Sequence, residues 1–366
     1  MSKEADGGYY KFDALHWFNY VAFDIIGDLA FGAPFGMLEK GKDEATVQLT
    51  PNSKPKTAPA IEVLNRRGEV SNALGCMPWL KPYAKRFPDP FFSKGIEAVE
   101  NLAGIAIARV NQRLDASEKG KIDRVDLLAR LMEGKDENGN KLGRAELTAE
   151  ALTQLIAGSD TTSNTSCALL FHCLTHPNVV KKLQAELDEA LPGDDVPSFN
   201  QVKDLVYLDH VIQETLRIHS TSSQGLPRVV PPGPGVDIAG HHFPQGLVLS
   251  VPAYVMHHSK EIWGPDADDF VPERWDNVTE RQAYSSTVCS IHLLTLPCRQ
   301  RSAFIPFSYG PRACVGRNVA EMELALIVST VFRRYEFELY QDHLETREGF
   351  LRKPLGLKVG MRKRNR

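Results

Sequence analysis

The segment FSYGPRACVG, residues 307–316, constrains this 366-residue chain more than any other. It sets Cys314 between Gly310 and Gly316, directly ahead of a segment, Gly316–Arg334, that reads as a helix. A cysteine so placed meets amide N–H groups that lack helical partners and the positive end of the helix dipole, which favours its thiolate. Gly310 and Gly316 let backbone amides come close to the sulfur, and Phe307 can shield it from water. Such a sulfur suits a nucleophile or an axial metal ligand. The plainer alternative is a buried cysteine in a turn.

A second irregularity lies in AGSDTTSN, residues 157–164, inside a long helical stretch from Thr148 to about Thr175 that Thr148 is expected to cap. Gly158 costs about 1 kcal/mol in a helix interior relative to Ala, and an Asp-Thr-Thr run adds poor helix formers. The Thr161 and Thr162 hydroxyls can bond back to carbonyls one turn earlier and bend the helix. Asp160 beside Thr161 supplies an acid and a hydroxyl suited to relaying protons, whereas a Gly/Thr packing notch would look the same. Two further pairs are weak alone. Glu214 and Arg217 of ETLR stand one turn apart on a helix face. Arg274 of PERW (272–275) can bring a second guanidinium to Glu214, giving an Arg–Glu–Arg network that persists only if fully hydrogen-bonded.

Around these motifs the chain reads as mostly helical with a small β part. Helices are expected up to the turn residues Gly32–Gly36, over Ser93–Ala116, Leu127–Met132, Val179–Leu191 and from about Val202 to His219. Residues 39–59 read as a polar, Pro-rich surface loop, and residues 133–143 as a loop with an Asn138–Gly139 turn. The Pro- and Gly-rich stretch Leu226–Tyr254 carries short strands and hairpins. With 42% hydrophobic and 24% charged residues the chain is globular, and 43 basic against 46 acidic residues point to no nucleic-acid partner. Six cysteines without a CxxC pair form neither a disulfide framework nor a zinc site. Asp24 and Asp28 interrupt the most apolar stretch, Trp17–Leu38, so no membrane span is expected.

In this order, AGxDTT, ExxR, PERW and FxxGxRxCxG resemble the haem-thiolate monooxygenases, the cytochrome P-450 family. The resemblance covers essentially the whole chain and implies one domain over 1–366: the mainly α cytochrome P-450 fold with a small β part. It implies haem b with Cys314 as its axial ligand, Arg312 and Arg228 on the propionates, and Phe307, Gly310 and Gly316 around the sulfur. Ala157 and Gly158 would let the distal helix pass close over the porphyrin, and Asp160 and Thr161 would deliver protons. Glu214, Arg217 and Arg274 resemble the family's structural triad. O₂ would be co-substrate, and electrons would come from NADPH through a cytochrome P-450 reductase, docking on a basic face supplied by Arg312, Arg317, Arg333 and Arg334.

Stretches such as HWFNYVAFDIIGDLAFGAPFGM and RIHSTSSQGLPR are similar to one fungal branch, the benzoate para-hydroxylases. That similarity implies a small aromatic acid as substrate, with Thr221, Ser222, Ser223 and Gln224 as candidate carboxylate contacts. Two departures accompany the resemblance. The family's chains are longer, and their membrane anchor, which places them at the endoplasmic reticulum, has no counterpart before Met1. As written, the chain is expected to be cytoplasmic and short of the first helices and outer sheet strands. The alternative function is then a non-catalytic remnant that cannot retain haem. The second departure is the length of residues 276–303, in which 283–301, with Cys289 and Cys298, reads as an insertion outside the family, a retained intron or a surface loop.

Overall fold

The computed structural model describes residues 8–120, 124–135, 137–193, 195–276 and 302–365. The expected insertion at 283–301 lies outside the described residues. The elements run β1 (Tyr10–Asp13), α1 (Ala14–Phe31), α2 (Met37–Lys40), β2 (Ala45–Val47), β3 (Lys56–Ala58) and α3 (Ala60–Cys76). A 3₁₀ segment (Pro78–Arg86) leads to α4 (Pro90–Glu118), α5 (Leu127–Glu133), α6 (Arg144–Thr175), α7 (Pro177–Ala190), α8 (Phe199–Val202) and α9 (Val206–Ile218). Short strands follow: β4 (Arg228–Val229), β5 (Val236–Ile238), β6 (His241–Phe243) and β7 (Val248–Leu249). After α10 (Ala253–His257) and α11 (Lys260–Trp263), PERW itself forms a 3₁₀ turn, and α12 spans Arg317–Arg334. The C-terminal strands are β8 (Tyr335–Leu339), β9 (Thr346–Arg347), β10 (Lys353–Pro354) and β11 (Lys358–Lys363). The mainly α expectation with a small β part holds. Several of its boundaries do not: residues 39–59 contain the β2–β3 hairpin, α8 and α9 divide the helix expected from about Val202 to His219, and α3 went unread.

The chain divides into two compact units, with the boundary inside α6 between Asn164 and Thr165. The unit built on Asp13–Asn164 packs Phe23, Ile26, Phe31, Phe35, Val63, Leu102, Ile105 and Leu155 into one core. Asp13 caps α1 by accepting from Leu15 N at 3.0 Å, and Gly32 ends it in the left-handed conformation at φ 73°. The two aspartates that broke the apolar stretch have structural tasks. Asp24 accepts from Met37 N and Leu38 N at 3.1 and 3.0 Å, which caps α2, and Asp28 pairs with Arg124 at 2.6 Å. Gly95 lets α4 lie against α3, because a Cβ there would stand 2.0 Å from Val70 Cγ2.

In the other unit, α7, α9 and α12 pack around Leu183, Leu187, Leu208, Val211, Leu324, Val328 and Phe332, all buried. Its largest sheet has the order β1–β11–β8, with β11 antiparallel to β8. Among the described residues no helix is long and apolar enough to cross a membrane.

Candidate functional site

Cys314 sits at the end of a tight loop that delivers it to the head of α12. Ser308 and Gly310 take left-handed backbone angles, φ 61° and 78°. Ser308 N donates to Ile305 O at 3.0 Å, Ala313 N to Gly310 O at 2.9 Å, and Cys314 N to Phe307 O at 2.9 Å. The amides of Val315 and Gly316, the two residues that follow Cys314, donate to no described acceptor. A side chain on Gly316 would begin 3.9 Å from Cys314 Sγ and cover it. The thiol is free and exposed, not buried in a turn. Val315 is fully exposed and Tyr309 is 85% exposed. Phe307 is half-buried, under the Arg317 guanidinium at 5.6 Å.

The structural network is complete. Arg217 spends all five N–H groups: two on Glu214 at 2.9 and 2.7 Å, and three on the carbonyls of His257, Ala267 and Asp269. Arg274 donates to Glu214 Oε1 at 3.3 Å, to Trp263 O, and to the carboxylate and carbonyl of Asp266. Glu214 also accepts from Val271 N and from Trp275 Nε1. This satisfies the condition on which a buried ion network survives. His257, which sequence reasoning missed, extends it toward the cysteine loop. Its Nδ1–H donates to Arg217 O at 3.2 Å, so Nε2 is the acceptor for Ile305 N at 2.9 Å. Burial drives its pKa down to about 3, and the Arg217 charge adds to that, so the ring is neutral. A lone histidine ending a short helix carries no sequence signal for this role.

The AGSDTTSN segment falls inside α6, which starts one turn earlier than expected. Thr148 is not its cap: Glu146 reaches back to Gly143 N at 2.8 Å, and Thr148 Oγ1 donates to Arg144 O. Thr161 Oγ1 bonds back to Ala157 O at 2.8 Å, as expected of a mid-helix threonine. Asp160 is buried, and its charge reaches Arg67 of α3, opposing the fall in guanidinium pKa that burial causes. Gly158 fits the packing notch that the sequence offered as the alternative. A Cβ there would meet Ile26 Cδ1 at 2.7 Å and Cγ1 at 3.0 Å, so this glycine serves the packing of α6 on α1. Ala157 is exposed.

Of the expected cationic groups, Arg312 is exposed and has no described partner, and the Arg228 side chain donates, among the described residues, to the adjacent Pro227 O alone. Arg333 leaves the proposed basic face: it is 6% exposed and held by Leu191 O and Asp188. Arg317 pairs with Glu321 at 2.8 Å. Two of the four candidate substrate contacts are committed elsewhere, Thr221 to Thr165 at 3.1 Å and Ser223 to Glu348 at 3.4 Å. Ser222 and Gln224 have no described partner.

The family profile described as Cytochrome P450 matches residues 1–361. The chain belongs to the cytochrome P450 family. A benzoate 4-monooxygenase of Aspergillus niger is 64% identical over 360 residues, covering 98% of this chain and 66% of that protein. A cytochrome P450 monooxygenase of Penicillium crustosum is 31% identical, covering 92% of this chain and 59% of the relative. One of Emericella nidulans is 30% identical, covering 96% and 64%. The chain thus spans just under two thirds of the length of these relatives.

The residues of this cytochrome P450 fit a haem. Among the described residues no group of three or more His, Cys, Asp or Glu side chains is placed to hold a metal by itself, and the exposed Cys314 would be the sulfur ligand that a haem takes. Arg312 and Arg228, which have no carboxylate partner among the described residues, would be available to its propionates, and the exposed Val315 would suit its apolar face.

Proposed function

We propose that the protein is a haem-dependent monooxygenase that hydroxylates a small aromatic carboxylic acid, benzoate-like, at the position opposite the carboxylate. The 64% identity to a benzoate 4-monooxygenase over 98% of the chain carries this reading. O₂ is the co-substrate, and electrons come from NADPH through a cytochrome P-450 reductase at the endoplasmic reticulum membrane. That similarity disfavours the alternative of a remnant without haem.

When bound, haem supplies the activation of O₂, one atom of which enters a C–H bond while the other leaves as water. The chain's own residues bind, orient and protonate. Cys314 holds the cofactor as a thiolate, and the Val315 and Gly316 amides temper the charge on its sulfur. Arg312 and Arg228 anchor the propionates. Thr161, whose hydroxyl donates to Ala157 O, is the alcohol of the relay, with Asp160 as the adjacent acid. Ser222 and Gln224 are the candidates for the substrate carboxylate. Arg317 and Arg334, at the two ends of α12, remain for the reductase face.

The test is the absorption spectrum of the haem-supplemented chain, reduced and bound to CO. A red-shifted thiolate-type Soret band, lost in Cys314→Ser, is the expected result, followed by para-hydroxylated product from benzoate with NADPH and reductase. A band without the red shift would refute Cys314 as ligand. Thiolate ligation without benzoate turnover would overturn the substrate class alone.

A further inference from the structure

Helix α3 carries an apolar stripe at helical spacing, Val63, Val70 and Leu74, all buried. Arg67 stands in that stripe, four residues after Val63 and three before Val70, and it is half-buried. An arginine that snorkels to bulk water belongs on the outer face of the helix, where Glu62 and Asn65 are exposed. An arginine among core positions instead spends its N–H groups on protein acceptors, as others in this unit do. Arg66 donates to Glu69 and to the carbonyls of Pro90 and Phe91, Arg109 to those of Ala33 and Pro34, and Arg113 to Asp126. Arg67 makes no hydrogen bond and no ion pair among the described residues. It feels the opposite charge of the buried Asp160 on α6 without pairing to it. Five donors in a planar fork, drawn out of bulk water and given no protein acceptor, are costly to leave bare, and they match the two oxygens of a carboxylate.

We propose that Arg67 binds the carboxylate of the aromatic acid substrate through its guanidinium fork, and so fixes which end of the ring is held. The proposal rests on the reading of the protein as an aromatic-acid hydroxylase. A carboxylate taken out of water needs a counter-charge as well as hydrogen bonds, and the neutral Ser222 and Gln224 bring none. A flat ring held by its carboxylate has one carbon at its far end, the para position, which is where that reading places the oxidation.

The test is a titration of the haem-supplemented chain, followed by the shift of its Soret band, with benzoate and with benzamide, which keeps the ring and the shape but not the charge. Arg67→Gln is expected to weaken benzoate about 10- to 100-fold, the worth of hydrogen bonds to a charged group, and benzamide by less than about threefold. Arg67→Lys, which keeps the charge without the fork, should recover part of the benzoate affinity. An affinity is the proper reading, because Arg67 also acts on the Asp160 charge and a rate would mix the two effects. Equal losses for benzoate and benzamide would show a merely structural role and overturn the proposal, as would a benzoate affinity that Arg67→Gln leaves unchanged. If the variants do not fold, a crystal structure of the parent with benzoate decides. Both carboxylate oxygens should lie within hydrogen-bond distance of the Arg67 guanidinium, and an Arg67 turned to Asp160 or to water alone would overturn the assignment. A parent chain that binds neither ring would refute the substrate reading itself, a result distinct from all of these.

Discussion

Trp275 Nε1 donates to Glu214 Oε2 at 2.9 Å, which joins the last residue of PERW to the buried carboxylate of ExxR. The same indole packs on Phe304 at 4.8 Å and on Trp263 at 5.8 Å, and Trp263 lies under the Arg217 guanidinium at 5.2 Å. Both arginines and this indole therefore converge on one acceptor, Glu214, which is 0% exposed. Removing the indole donor while keeping an aromatic ring isolates the value of that bond. Trp275→Phe is expected to lower stability by about 1.5–3 kcal/mol, the worth of a hydrogen bond to a charged group. Urea unfolding of the two proteins, read at equal slopes, checks this; a change below about 0.5 kcal/mol, the size of a neutral surface substitution, would show the indole bond to be incidental.

His257 predicts an acid-sensitive link between that network and the cysteine loop. Its ring is neutral when folded, with a pKa of about 3, against about 6.5 unfolded. Between those values the unfolded chain binds the extra proton, so stability falls as pH drops from 6.5 toward 3 and is fully present above 6.5. Protonation also destroys the acceptor that Ile305 N uses. The single group is worth roughly 2 kcal/mol at pH 5 by linkage. Unfolding free energies measured at pH 5 and pH 7 should differ by about that much less in His257→Asn than in the parent. Equal pH dependence in the two would remove the titration from His257.

Gly95 tests the α3–α4 contact. Alanine there places a methyl group on Val70, a residue that branches at Cβ and is 0% exposed, so the side chain cannot swing aside. Gly95→Ala is expected to cost about 1–3 kcal/mol by overpacking, despite the better helix propensity of Ala. The double variant Gly95→Ala/Val70→Ala should recover part of that loss relative to the sum of the singles, since the new methyl then occupies space that Val70 vacates. Strict additivity in thermal or urea unfolding would contradict the contact.

Arg312 and Arg228 separate cofactor binding from folding. Neither has a carboxylate partner among the described residues. Replacing either with Leu should therefore change the stability of the haem-free chain by no more than about 0.5 kcal/mol. Haem affinity should fall by about tenfold for each, the equivalent of about 1.4 kcal/mol. Competition for haem with a second haem-binding protein measures the affinity, and an unaltered affinity in both variants would assign the propionates to other groups.

The sequence by itself determined the helical character, the cysteine at a helix head and the Glu214–Arg217–Arg274 set, because each depends on residues a few positions apart or on a recognisable order of motifs. Backbone chemistry within one turn is local: glycine before and after Cys314, a threonine bonding back to its own helix, an i, i+3 ion pair. What only the tertiary structure decided were relations between distant segments. Gly158 answers to Ile26 on another helix, Arg333 is drawn inward by Leu191 O, and Thr221 is committed to Thr165. The Trp275 and His257 bonds likewise join positions tens of residues apart. A side chain's chemistry is written in the sequence, but its partner is set by which surfaces the packed elements bring together. No local pattern encodes that choice, because many pairings share the same periodicity and only the close packing of the whole selects one.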